Sequence, residues 1–184
     1  VPGTHDPALG LALIEALGRG GTVALPRFDK ARDEPGPPEV HDGPADIILF
    51  EGWCVGARPQ EEADLAEPVN TLEREADPDG VWRRHVNAQL DGPYRALFAR
   101  IDLLVLLAAP GFEVVGRWRI EQEHALRREK LARGEPVEGV MSDDAVRGFV
   151  EHYRRLTVDL LRRGGAWADL VIPLDANRRP IGGG

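Results

Sequence analysis

Glu51 is the residue whose type and place point most sharply to chemistry. It ends the apolar run Asp46–Phe50 and is followed by Gly52. An acid so placed is positioned to hold Mg²⁺ or orient a nucleophile in a phosphoryl-transfer site; a solvated carboxylate at a strand end is the plain alternative. Pro26-Arg27-Phe28-Asp29-Lys30 follows a shorter apolar run, Thr22–Leu25. Opposite charges that close in sequence suit an anionic substrate together with a metal. His5 and Asp6 precede a helical pattern beginning at Pro7. Asp6 is a good N-cap, a helix N-terminus also attracts anions, and His5 is suited to bind a substrate hydroxyl or carboxylate. Arg117 with Glu121, and Arg119 with Glu123, have i,i+4 spacing. That spacing describes either a salt-bridged solvent face or a lid whose arginines meet polyphosphate. Asp175, Asn177, Arg178 and Arg179 follow a last apolar run. His41, His85, His124 and His152 share no metal-ligand spacing, Cys54 has no base beside it in sequence, and the four tryptophans read as packing residues.

The elements that must position these residues are legible as periodic patterns. Thr22–Leu25, Asp46–Phe50, Asp102–Ala108 and Asp169–Leu174 read as buried strands. The last three are continuous rather than alternating, as in parallel strands covered on both faces. Helical spacing predicts helices over Pro7–Leu17, over Trp82–Ala99 with a break at Gly92-Pro93, and over Glu113–Arg133. A fourth helix is expected from the N-cap Ser142 to Gly164-Gly165. Asp33–Pro44 reads as a surface loop and Glu61–Asp79 as an irregular excursion. Strands alternating with helices predict an α/β fold, a mostly parallel sheet with flanking helices. In such sheets ligands bind beyond the carboxyl ends of the strands, where the candidate residues fall.

Composition narrows the function classes. The chain has 184 residues, 42% hydrophobic and 29% charged, which suits a single globular domain over 1–184. The net charge of −8 disfavours nucleic acid as the main partner. The charge is uneven: residues 1–80 hold 6 basic and 17 acidic side chains, residues 81–184 hold 17 and 14. The basic groups are arginines except Lys30 and Lys130, and arginine forks suit phosphate oxygens. The lone Cys54 excludes an intramolecular disulfide. No apolar run reaches the roughly 18 residues of a membrane span, and the first residues do not read as a signal peptide. A cytoplasmic protein with a small-molecule substrate is the default expectation, its oligomeric state open.

Several stretches together resemble the plant-type D-glycerate 3-kinases, members of the P-loop kinases that include uridine kinase, pantothenate kinase and phosphoribulokinase. They are Val1–Asp6 (VPGTHD), Leu25–Lys30 (LPRFDK), Ile47–Trp53 (IILFEGW), Pro68-Val69-Asn70, Gly116–Arg128 (GRWRIEQEHALRR), Met141–Asp144 (MSDD), His152–Thr157 (HYRRLT) and Asn177–Ile181 (NRRPI). They recur in the family's order over nearly the whole chain. The resemblance implies an ATP-dependent transfer of a phosphoryl group to a hydroxyl of a small organic acid, D-glycerate foremost, with Mg²⁺. It implies that Glu51 is the Walker-B-like acid near Mg²⁺, and that Arg27, Asp29 and Lys30 line the acceptor and phosphate region. His5 and Asp6 would sit near the acceptor, Arg117 and Arg119 would belong to the lid over the nucleotide, and Asn177 and Arg178 would lie near the adenine edge. A kinase of another small acceptor (nucleoside, pantothenate, sugar phosphate) and a non-catalytic kinase-like binding protein are the alternatives.

One element of the family is not in the sequence. Its phosphate loop, G-x-x-x-x-G-K-[ST], cradles the β- and γ-phosphates, and here no glycine is followed by lysine. The acidic strand end expected next, which would supply the catalytic base, is missing too. In the family both precede the VPGTHD stretch. The expectation is an N-terminally truncated P-loop-type domain lacking its first strand and loop, and inactive by itself.

Overall fold

In the computed structural model, residues 1–29 and 34–182 are described; Lys30 lies outside them. The first helix, α1 (Pro7–Arg19), starts as the sequence anticipates: Asp6 Oδ1 accepts from Leu9 N at 2.9 Å and Pro7 takes the first helical position. Next comes β1 (Thr22–Asp29), longer than the expected run. It pairs antiparallel with β2 (Glu34–Asp42), where a surface loop was expected. The prolines explain how such a segment makes a strand. Pro26 sits where the register slips between Leu25 and Arg27. Each strand of a two-stranded ribbon has a free edge on which a residue without an N–H is tolerated.

The expected strand Asp46–Phe50 does not form. No described strand pairs with it, and Ile47 and Leu49 are 88% and 89% exposed. An apolar run becomes a strand only when a neighbour accepts its ladder hydrogen bonds. The expected irregular excursion contains a 3₁₀ turn (Glu62–Leu65) and the short α2 (Thr71–Ala76), capped by Asn70. α3 (Val81–Asp91) and α4 (Pro93–Phe98) are divided at Gly92, as the Gly-Pro pair predicts.

β3 (Val105–Ala108) and β4 (Leu170–Pro173) pair in parallel. Between them run α5 (Glu113–Ala132), α6 (Asp143–Val150) and α7 (Arg154–Arg163). The fourth predicted helix is thus two, divided by a 3₁₀ turn at Glu151–Tyr153. The architecture is α/β. The expectation of a mostly parallel sheet is corrected, since among the described residues there are two two-stranded sheets, one antiparallel and one parallel. Nor are β3 and β4 covered on both faces: Leu107 is 60% and Leu170 49% exposed.

Two apolar clusters hold the elements. One joins Cys54 and Ala57 to Leu90, Tyr94, Leu156 and Leu160, with Trp167 packed against it. The other joins Phe112, Val146 and Val150. Gly56 shows how closely the first is drawn. Its φ is 77°, a Cβ there would lie 2.7 Å from Leu104, and its carbonyl accepts from Trp167 Nε1 at 2.9 Å. Only glycine meets both demands.

Candidate functional site

Glu51 lies in the irregular segment between β2 and the 3₁₀ turn, and its side chain is exposed. The segment is held by the residue two positions on. Trp53 Nε1 donates to Thr157 Oγ1 at 2.8 Å, and its ring meets Tyr153 edge-on at 4.6 Å. Phe149 continues the aromatic row at 5.1 Å from Tyr153. Val55 N also donates to Gly52 O at 3.3 Å, closing the turn on itself.

The same part of the chain draws in two further segments. Asn70 Nδ2 donates to the Glu151 carbonyl at 2.9 Å and to Glu151 Oε2 at 2.8 Å, while Asn70 Oδ1 caps α2 by accepting from Glu73 N at 2.9 Å. Arg154 grips Glu151 through two bonds of 2.7 and 2.9 Å, and its guanidinium lies 4.2 Å from the centre of the Phe112 ring. Arg155, 8% exposed, donates to both carboxylate oxygens of Glu73 at 2.8 and 2.7 Å and to the carbonyls of Asp64 and Glu67. Burial would raise the pKa of Glu73, but the bonds from Arg155 and Val69 N outweigh it and hold the carboxyl below its ordinary value. The hydrogen bonds from Arg154 hold Glu151 down as well. The segments 51–53, 67–73 and 151–157, far apart in sequence, are therefore joined by direct contacts. Asn70, Glu151 and Arg154 were not among the candidate residues. Asn70 and Arg154 lie within the quoted Pro68-Val69-Asn70 and HYRRLT stretches and Glu151 directly precedes the second, but such stretches identify segments without saying which side chains bond.

A second group forms where α5 meets the turn after β4. Arg117 and Trp118 Nε1 both donate to Ala176 O, at 2.6 and 2.8 Å. Arg178 bonds Glu121 at 2.5 Å and lies 5.3 Å from the Trp118 ring centre. Asp175 Oδ1 accepts from Asn177 N and Arg179 N at 2.7 and 2.8 Å, and these bonds lower its pKa. Arg178 takes a φ of 65° to close the turn. Arg117, Asn177 and Arg178 are thus brought together. Arg119 is not with them. Two positions along a helix turn through roughly 200°, and Arg119 instead pairs with the buried Glu123 at 2.5 Å. Glu123 in turn accepts from Met141 N at 3.0 Å.

The other candidate residues stand elsewhere. Arg27 is on β1 and forms a cross-strand ion pair with Glu39. Asp29 ends that strand, in register with Glu34. Asp6 is occupied as the cap of α1, and His5 Nδ1 lies 2.8 Å from the Tyr94 hydroxyl. Among the described residues no cluster of three or more His, Cys, Asp or Glu forms a metal cage. An exposed single carboxylate such as Glu51 fits the other mode, in which Mg²⁺ takes one or two carboxylates plus substrate phosphates. No described helix is long and apolar enough to cross a membrane.

No protein-family model matches the chain. The D-glycerate 3-kinase, chloroplastic, of Arabidopsis thaliana is 31% identical over 97% of this chain and 40% of its own length. The chain is a relative of the D-glycerate 3-kinases. The uncharacterized kinase mug58 of Schizosaccharomyces pombe is also 31% identical, over 97% of this chain and 66% of its own. The probable ATP-dependent kinase TDA10 of Saccharomyces cerevisiae is 26% identical over 97% of this chain and 63% of its own. The solved structure of a D-glycerate 3-kinase from Cryptococcus neoformans superposes with a TM-score of 0.73 at 24% identity, over 98% of this chain and 67% of that one. The α/β fold is therefore shared with that structure. The chain spans between 40% and 66% of the length of these three relatives.

Proposed function

We propose that the full-length protein transfers the γ-phosphoryl group of MgATP to a hydroxyl of D-glycerate. The hydroxyl oxygen forms the new bond to phosphorus, the bond from that phosphorus to the β-phosphate bridging oxygen breaks, and the hydroxyl proton is released. The products are ADP and a phosphoglycerate. One observation carries the reading: the Glu51 turn is tied through Trp53 to Thr157 and Tyr153, so stretches that resemble the D-glycerate 3-kinases meet as one structural unit.

In this reading Glu51 holds Mg²⁺, which when bound neutralises charge on the transferring phosphates. His5 and Asp6 face the acceptor. Arg27 and Asp29 serve the acceptor and phosphate region from β1, and Lys30 shares that role. α5 acts as the lid, with Arg117 and Arg119 on it, and Asn177 and Arg178 border the adenine. Catalysis then rests on positioning and charge stabilisation. The relatives are longer than this chain, and these 184 residues hold no phosphate-cradling G-x-x-x-x-G-K-[ST] loop. These residues alone are accordingly expected to be inactive.

Acceptor profiling tests the reading. ADP release by the full-length protein should depend on D-glycerate and not on a nucleoside, pantothenate or a sugar phosphate. Preference for one of the other three would overturn the assignment of the acceptor.

A further inference from the structure

The contact between His5 and Tyr94 is more informative than proximity. Tyr94 comes from α4, which packs against α1, and the residue is 3% exposed. A buried phenol must place its own proton on an acceptor, or lose a hydrogen bond that water would have supplied. Among the described residues the Tyr94 oxygen is approached by Gly3 N at 3.2 Å, by the backbone N–H of His5 and by His5 Nδ1 at 2.8 Å. The two backbone amides only donate. The Tyr94 proton is left with one destination, the lone pair of His5 Nδ1. A neutral imidazole that accepts at Nδ1 carries its hydrogen on Nε2.

We propose that Tyr94 is a positioning residue that locks His5 in its Nε2–H tautomer, so that His5 meets the acceptor as a hydrogen-bond donor to carboxylate or hydroxyl oxygen and not as a proton-abstracting base. The inference rests on the proposed function for the acceptor and for its meeting His5; the tautomer itself rests on the Tyr94 contact alone. The surroundings agree with it. Burial lowers the pKa of His5, which favours the neutral ring. Burial raises that of Tyr94, which keeps the phenol protonated. The Asp6 carboxylate is engaged with Leu9 N at 2.9 Å. Gly3 has a φ of 99°, and a Cβ there would lie 3.0 Å from His85 Nε2. Glycine thus allows the amide to reach Tyr94 beside that second histidine.

The test reads the ring directly. Long-range ¹H–¹⁵N correlations of His5 in the ¹⁵N-labelled full-length protein should show the neutral form with its proton on Nε2. A proton on Nδ1 would overturn the proposal. So would a tautomer mixture that Tyr94→Phe leaves unchanged. In acceptor kinetics, Tyr94→Phe should raise KM for D-glycerate roughly three- to tenfold, the worth of one hydrogen bond, with a smaller change in kcat. His5→Gln can place an amide N–H near the Nε2 position, whereas His5→Asn places one near Nδ1. The Gln variant should retain more acceptor affinity, and equal losses would overturn the proposal even if Tyr94→Phe fails to fold. Absence of glycerate turnover would overturn the proposed reaction; the tautomer, read without substrate, would still decide this inference.

Discussion

Trp53 Nε1 donates to Thr157 Oγ1 at 2.8 Å, across 104 positions of sequence. Thr157 lies on α7 and is nearly buried, so the bond fastens an otherwise irregular segment to a helix anchored in the main apolar cluster. Glu51 stands two residues before that anchor. Its carboxylate can be exposed and still be held in place, because the restraint falls on its neighbour.

Loosening the anchor should therefore cost both stability and turnover. Trp53→Phe removes the hydrogen bond but keeps an aromatic ring against Tyr153. It should destabilise the protein by about 1–2 kcal/mol, a fall of roughly 2–8 °C in Tm for a domain of this size. In the full-length enzyme kcat should fall with little change in KM for ATP. Thr157→Val should reproduce the stability loss, since it leaves the indole N–H without its partner. Thermal melts and steady-state kinetics of the two variants check this.

The Arg155–Glu73 pair predicts acid sensitivity. The Glu73 carboxyl is held below its ordinary value in the folded state, so its contribution to stability is complete above the unfolded value of about 4.3. It is lost as pH falls through the depressed native value. Glu151, lowered chiefly by the hydrogen bonds from Arg154, acts in the same direction. Tm should hold between about pH 6 and 5 and drop steeply below about pH 4. Glu73→Gln should lower Tm at neutral pH and flatten the acid limb. Arg155→Met, which leaves a half-buried carboxylate unpaired, should cost on the order of 3–5 kcal/mol. Melts across a pH series read all three.

How much of this was visible in the residues differs from element to element. Asp6-Pro7, Gly92-Pro93 and Ser142 marked helix boundaries correctly because caps and proline act locally. Asp46–Phe50 has the composition of a strand but forms none, because a strand depends on a partner that its own sequence does not specify. β2 shows the converse: its prolines look like a loop, yet a ribbon with free edges accepts them. Arg117 and Arg119 looked equivalent in sequence, but helix geometry sends one to Ala176 and the other to Glu123. Asn70 and Tyr94 were not singled out as candidates, because their partners, Glu151 and His5, are 81 and 89 positions away.

The turn at Asp175–Arg179 should affect the nucleotide and not the acceptor. Arg178 is bonded to Glu121 and lies over Trp118. Arg178→Ala should raise KM for ATP about tenfold, in keeping with the loss of a charged hydrogen bond, while KM for D-glycerate stays near its starting value. Asp175→Ala should do the same more weakly, by releasing the amides of Asn177 and Arg179. Initial-rate kinetics with each substrate varied in turn separate the two effects.

Phosphoryl transfer to D-glycerate, with Glu51 at the reacting phosphates, can be followed by ³¹P NMR of the full-length protein with MgATP and D-glycerate. A phosphate monoester signal should grow, matched by ADP. Glu51→Gln should lose at least about 10²-fold in rate, with an unchanged Tm. No monoester formed from D-glycerate, or a Glu51→Gln protein as fast as the parent, would contradict it.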